Sequence, residues 1–387
     1  MAFVNWSILC NFKWNGYTTF KDNLIQDRFT MTTKNINIAL LLDSKDYGGI
    51  ETHVANLAKG LHSSGHTVQI ILLNNFGEHP VFESDEFLSS ILLKLDGNLA
   101  ALYNVLKKST IDLVHTHGYK AGIIGRISCK LTNTAVVSTF HSGEKGNIKM
   151  QLYGWVDRMT AYSFHCICVS EQIKKSANLT AEVIQNFVEL PSKSPRNLPN
   201  KSPSISIKQT APATQIAFVG RLSYEKGPDV FIRLAKQLPE YDFSIYGSGP
   251  MLEEISTAVT SNVTLEGQVK SMDPHWSKIS LLCITSREEG LPLVAIEALV
   301  RGIPVVSFDI GGIASVVINK LNGWLIAPYN ETAFLKSIKQ GQMLTNDQRR
   351  KMSSFSYSHI KKNFSTNAVV PQIFDVYSKA LIGGSHA

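Results

Sequence analysis

The stretch IAFVGRLSYEKGPDVFIRLAKQLPEYDFSIY, residues 216–246, decides the fold. Ile216 to Val219 is an apolar run of strand length. Phe231, Leu234 and Ala235 then recur at i, i+3 and i+4, the stripe of a helix, and Phe243 to Tyr246 is strand-like again. Strand, helix, strand at this spacing is a βαβ unit and implies a parallel sheet. Downstream, Leu281 to Ile284 and Val305-Val306 continue the series. Upstream, Ile36 to Leu42 precedes a helical stripe at Val54, Leu57, Ala58 and Leu61, and Val68 to Leu73, Leu113-Val114, Ala135 to Val137 and Ile167 to Val169 supply further short strands. Between the two series lies PSKSPRNLPNKSPSISIKQTAPA, residues 191–213, too poor in large apolar side chains to fold alone. It reads as a linker between a first domain, residues 31–190, and a second, residues 214–362. The expected fold class is α/β, two doubly wound domains facing each other. A ligand then sits in the cleft, at the carboxyl ends of the strands.

The composition agrees. The chain has 387 residues, 44% of them hydrophobic and 18% charged, which supports two buried cores and excludes collagen, coiled coil and a wholly disordered chain. No apolar run approaches the ~20 residues of a membrane span. The five cysteines are odd in number and show neither Cys-x-x-Cys spacing nor a Cys/His cluster, so a reducing, cytoplasmic setting fits best. Of the +7 net charge, four positive charges (Lys193, Arg196, Lys201, Lys208) fall in the linker, so neither domain carries the charge of a nucleic-acid binder.

Residues 1–30 stand outside the alternation. They carry Phe3, Trp6, Phe12, Trp14, Tyr17, Phe20 and Phe29 among polar residues and lack the pattern of a secretory signal. We read them as a disordered extension or an upstream mis-assigned start. The rival reading is an aromatic anchor on a membrane surface.

Several loop residues carry chemistry. Gly48 and Gly49 lie between the first strand and the first helix, where glycine allows close backbone approach to a ligand and a helix N-terminus offers N–H groups to an anion; a plain tight turn is an equal reading. Arg221 and Lys226 follow the first strand of the second half, and two cations there suit a diphosphate. Glu289 and Glu297 bracket GLPLVAI. Pro292 suits the first turn of a helix, which places Glu297 about one and a half turns inside it. Carboxylates accept two hydrogen bonds each and bind sugar and ribose hydroxyls well. His115, His117 and His141 follow predicted strands. Each taken alone reads as a hydrogen-bonded core or loop residue, and no metal site is expected. Gly247-Ser248-Gly249-Pro250 lacks the third glycine of a dinucleotide fingerprint, and there is no Asp-x-Asp to clamp a metal on a nucleotide diphosphate.

Together, GGIETHVANLAKGL, VHTHG, STFHSG, FVGRLSYEKG, YGSGP and SREEGLPLVAIEALVRGIPVV, then Gly311-Gly312, resemble the family 4 glycosyltransferases of GT-B fold, in order and spacing, from about residue 36 to 328. The resemblance implies two Rossmann-like domains clamping a nucleotide sugar, and transfer of the sugar with retention at its anomeric carbon without a metal or other cofactor. It also implies that residues 363–387 form a C-terminal helix crossing back to the first domain. Arg221 and Lys226 would hold the diphosphate and stabilise it as it leaves. Glu289 would contact the sugar hydroxyls and Glu297 the ribose. Gly290 and the backbone N–H groups of Leu291 and Leu293 would complete the phosphate site, and Val269 the base site. Gly48 and Gly49 would let the first domain approach the donor, and His141 would reach the transferred sugar.

Three positions depart from the family pattern: Asn186-Phe187-Val188-Glu189, Ser315 after the last glycine pair, and Ser280 where an Asp is usual. They bear on donor identity. The expected function is a retaining glycosyltransferase moving a sugar from a UDP- or GDP-sugar to a glycan or lipid-linked acceptor in bacterial surface polysaccharide or lipopolysaccharide synthesis. No nucleic-acid partner is expected; peripheral contact with the inner membrane face is. The alternatives are a nucleotide-sugar hydrolase or epimerase of the same fold, and a catalytically silent binding subunit.

Overall fold

The computed structural model describes residues 35–45, 48–141, 148–191 and 214–383. The described residues from Asn37 onward form one compact unit. The extension 1–30 and linker residues 192–213 lie outside the described residues.

The first half runs β1 (Asn37–Leu42), α1 (Gly49–Ser63), β2 (Thr67–Leu72), α2 (Glu86–Ser90), β3 (Leu92–Lys94), α3 (Leu99–Lys108), β4 (Leu113–His117), α4 (Tyr119–Thr132), β5 (Ala135–Phe140), α5 (Ile148–Ala161), β6 (His165–Cys168), α6 (Glu171–Ala177) and β7 (Glu182–Val183). Its seven strands are ordered β3-β2-β1-β4-β5-β6-β7, all parallel. The second half runs β8 (Gln215–Val219), α7 (Pro228–Lys236), β9 (Phe243–Tyr246), α8 (Leu252–Ala258), β10 (Val263–Gly267), β11 (Ile279–Ile284), α9 (Leu293–Val300), β12 (Val305–Phe308) and β13 (Gly323–Ile326). Its six parallel strands are ordered β10-β9-β8-β11-β12-β13. Three helices close the chain: α10 (Glu331–Gln342), α11 (Asn346–Asn363) and α12 (Thr366–Gly383).

In both sheets the strand order reverses beside the first strand, β1 and β8, which opens a crevice at the carboxyl ends there. The central strands are buried on both faces, as parallel strands under two helical layers must be. On the first sheet α3, α4 and α5 pack side by side in one layer, while α12 packs on α1, β5 and β6. That packing needs Gly60: a Cβ there would meet Thr366 Cγ2 at 2.5 Å and Val370 Cγ2 at 2.8 Å. The chain passes between the sheets twice at one place, where Val188 and Ser365 form a parallel bridge. The Val188 N–H donates to Phe364 O and the Thr366 N–H to Val188 O.

Candidate active site

The named loops converge at the carboxyl ends of the two sheets. Gly48 and Gly49 follow β1, His117 ends β4 and His141 follows β5. Facing them, Arg221 follows β8, Val269 follows β10, Glu289 follows β11, and Gly311-Gly312 follow β12. The walls touch at Gly290. A Cβ there would lie 2.8 Å from His141 O and 3.2 Å from Ile173 Cδ1, so only glycine allows the two backbones this close. Gly49 lies opposite Leu293, 4.0 Å from an ideal Cβ to Leu293 Cδ1, and the Asn186 side chain crosses to donate to Leu291 O at 2.9 Å.

On the second-sheet wall, Lys226 Nζ donates to both carboxylate oxygens of Glu289, at 2.7 and 2.8 Å. Ser286 Oγ donates to the same Glu289 Oε1 at 2.8 Å. Sequence reasoning treats Lys226 and Glu289 as separate ligand contacts; the structure makes them one ion pair, with the carboxylate buried and the ammonium half-buried. A second pair holds the two loops in register. Arg287 donates to both carboxylate oxygens of Asp229, at 2.9 and 2.6 Å, and to Tyr224 O, and stacks 4.2 Å from the Tyr224 ring centroid. Burial raises the Asp229 carboxyl, but the hydrogen bonds and charges of Arg287 and Arg233 outweigh it and hold it at about 2. Arg221 is exposed at the mouth and forms no ion pair among the described residues.

The expected place of Pro292 needs a correction. It is the N-cap of α9, in extended conformation, rather than its first-turn residue, so Glu297 sits about one turn inside the helix. The Leu293 N–H opens α9 and has no intrahelical acceptor, while Leu291 and Leu293 bury their side chains. No protein donor among the described residues reaches the Glu297 carboxylate. Its burial pushes its pKa up, partly countered by Arg301. Val269 packs half-buried on the core beside α9. Ser280, one of the departures from the family pattern, lies within β11 and bonds Gln215 O and Gln342, so it is a sheet residue and not part of the cleft.

The first-sheet wall holds a group that sequence reasoning found only in part. His53, on α1, joins His117 and His141, and one nitrogen from each lies within 4.8 Å of the others. His117 Nδ1 and His141 Nε2 are 3.0 Å apart and share a hydrogen bond. Both nitrogens of His53 are buried without a hydrogen bond of normal geometry. This is the trio of described side chains that could ligate a metal ion, with imidazoles and no carboxylate. Burial drives all three pKa values down: His53 to about 4, only partly offset by Asn186, and His117 and His141 well below the ordinary range, with mutual repulsion adding to the effect. All three are therefore neutral near pH 7. His115 belongs to the core instead, bonding Tyr377 Oη at 2.7 Å and Thr139 Oγ1 at 2.6 Å. His53 was missed because a histidine inside an apolar helical stripe reads as core. The signal was its position one turn after Gly49.

Behind His141 lies a cavity of about 390 Å³, lined among others by His117, Gly118, Thr139, His141, Tyr153 and Asp157. Asp157 forms a buried ion pair with Arg126, which also donates to Ser138 Oγ, Asp157 O and Thr160 Oγ1.

Two family models match in tandem. Glycosyltransferase Family 4 matches residues 47–190 and Glycosyl transferases group 1 matches residues 213–341. Together they cover more than two thirds of the chain. A glycosyltransferase of Methanocaldococcus jannaschii is 27% identical over 358 residues, covering 86% of this chain and 95% of that protein. The UDP-Gal:alpha-D-GlcNAc-diphosphoundecaprenol alpha-1,3-galactosyltransferase of Escherichia coli is 27% identical over 315 residues, covering 74% and 80%. Among solved structures, Anabaena Alr3699/HepE in complex with UDP-glucose superposes with a TM-score of 0.74 at 19% identity, covering 89% of this chain and all of that one. Two parallel doubly wound sheets, a shared cleft and these matches make the chain a glycosyltransferase of GT-B fold, and it belongs to glycosyltransferase family 4.

Proposed function

We propose that the chain transfers a hexose from a UDP-sugar, with retention at the anomeric carbon, to a lipid-linked glycan acceptor in the synthesis of a bacterial surface polysaccharide. The observation that carries this reading is the facing arrangement of the Lys226–Glu289 pair and exposed Arg221 on one wall with neutral His141 on the other, in backbone contact at Gly290. When the bond from the anomeric carbon to the β-phosphate oxygen breaks, negative charge develops on the leaving diphosphate. Arg221 and Lys226 neutralise it, with the Leu293 N–H at the start of α9 adding a fixed dipole. Glu289 accepts from the sugar hydroxyls while keeping the ammonium of Lys226 in place. Glu297 meets the ribose and Val269 the base. His141, being neutral, bonds a sugar hydroxyl without repelling Arg221. The acceptor enters the cavity behind His141.

The choice of UDP and of a lipid-linked acceptor draws on the name of the E. coli relative and on the UDP-glucose complex of the Anabaena protein. The test is nucleotide release from a panel of UDP- and GDP-sugars, with and without a polyprenyl-diphosphate-linked sugar, and the anomeric configuration of the product by NMR. Acceptor-dependent UDP release with an α-linked product supports the reading. Acceptor-independent release makes the chain a hydrolase, and an inverted product removes the retaining mechanism.

A further inference from the structure

Helix α5 is inside out. From Leu152 onward its buried side is formed by Gly154, Asp157 and Ala161 and contains an ion pair, whereas Leu152, Trp155, Met159 and Tyr162 are 55–80% exposed. Their spacing of three, four and three residues puts them on one helical face. Scattered exposed apolar residues are ordinary on a protein surface, but a whole face of them marks a docking site. On the neighbouring α4, Ile127 and Leu131 are also exposed. Charge names the partner. The layer α3, α4 and α5 contains a single acid, Asp157, which is turned inward onto Arg126. Its other charged residues are Lys107, Lys108, Lys120, Lys130, Lys149 and Arg158, of which Lys120 lies 3.2 Å from Asp43 of the loop after β1. The first half of the chain is nearly neutral in total, so this is segregation of charge onto one layer and not a general excess. Trp, Tyr, Leu and Met on one face, in a layer whose single acid is turned inward, is the composition of a surface lying in the headgroup region of an anionic bilayer.

We propose that the outer face of α5, with the lysines of α3 and α4, docks the enzyme on an anionic membrane surface and so presents its cavity to a lipid-borne acceptor. The inference rests on the glycolipid-acceptor reading above. The link between surface and site is Tyr153, which is exposed on α5 and also lines the cavity that contains His141. An acceptor headgroup rising from the bilayer thus reaches the transferred sugar along the inner side of the same helix whose outer side meets the lipid.

The test is co-sedimentation of the full chain with phosphatidylcholine vesicles and with vesicles containing phosphatidylglycerol, at low and high salt. The full chain should sediment with the anionic vesicles and be released by salt. Trp155→Glu/Met159→Glu should reduce vesicle partition at least ~10-fold while leaving melting temperature and UDP binding unchanged. Lys107→Glu/Lys130→Glu should reduce it ~10-fold or more on anionic vesicles only. Brominated lipid should quench tryptophan fluorescence in the wild type, and Trp155→Phe should remove that quenching.

Failure of the wild type to sediment, or equal sedimentation of Trp155→Glu/Met159→Glu, overturns the proposal. So does a dimer that this variant dissociates without any vesicle binding, which would assign the face to a second copy. Trp155 shielded from an aqueous quencher in the absence of lipid would assign it to another part of the chain. Vesicle binding without transfer to any lipid-linked acceptor keeps the docking face and overturns the acceptor reading. Transfer to a detergent-solubilised acceptor without vesicle binding does the reverse.

Discussion

Lys226 Nζ lies 2.7 and 2.8 Å from the two carboxylate oxygens of Glu289, so the cation nearest the expected diphosphate is paired with the acid nearest the expected sugar. A bound donor must share that ammonium. Lys226→Ala should therefore lower turnover by roughly 10²–10³-fold, the usual cost of one electrostatic contact to developing charge. Glu289→Gln, which cannot hold the ammonium electrostatically, should also lower turnover more than donor affinity. Steady-state kinetics on variants with the wild-type melting temperature decides; a Lys226→Ala enzyme that turns over normally at saturating donor removes the assignment.

As the proposed ribose contact, Glu297 predicts a separation of binding from chemistry, because ribose contacts are similar in ground and transition states. Glu297→Gln should raise the donor KM about tenfold with little change in kcat. It should also raise stability. Burial holds the folded pKa of Glu297 above its unfolded value. The stability this group contributes is complete below the unfolded pKa and is lost as pH rises through the folded one. The melting temperature of Glu297→Gln should therefore exceed that of wild type at neutral pH, and the gap should close on acidification through the ordinary carboxylate range. A gap independent of pH disproves the account.

The buried imidazoles act with the opposite sign. His53 has a folded pKa of about 4 against an unfolded 6.5, so the unfolded chain takes up the proton first. Stability is lost as pH falls from about 6.5 towards 4, by about 3 kcal/mol for this residue alone. Chemical denaturation at stepped pH should show the slope, and His53→Gln should flatten part of it.

Gly290→Ala places a methyl group against the backbone oxygen of His141, 2.8 Å away. Because that oxygen is main chain, the sheets rather than a side chain must give way, at roughly 1–3 kcal/mol. Donor turnover should fall with stability, since His141 moves away from the sugar it is proposed to bond. Calorimetry and single-turnover rates measure the two.

Divalent metal should be dispensable for transfer. The motive is the lack of Asp-x-Asp in the sequence together with Arg221 and Lys226 at the diphosphate position. Activity should survive EDTA, and loss of activity restored by Mg²⁺ or Mn²⁺ would refute it.

The alternation of apolar runs located nine strands, and the four it did not locate are β3, β7, β10 and β13, which are the edges of the two sheets. Edge strands pair on one side only, and β3 and β7 are also short. Leu92–Lys94 and Glu182–Val183 therefore lack the continuous apolar run that marks Leu40 or Leu282, buried between two helical layers. The cleft was legible because glycines and charges after strands are local features. The Lys226–Glu289 pair was not, since its partners are 63 residues apart and only the packing of two loops brings them together. The buried Arg126–Asp157 pair was hidden for the same reason: each residue alone looks like a solvated charge on a helix.

Helix α12 lies on the first sheet although it is made after the whole of the second. Until residues 366–383 leave the ribosome, α1 has an uncovered apolar flank beside Gly60, and His115 lacks its Tyr377 hydroxyl. The earliest-synthesised sheet is thus among the last to be completed. A nascent chain halted before Ser365 should expose that flank to proteases and chaperones, while the released full chain should close it.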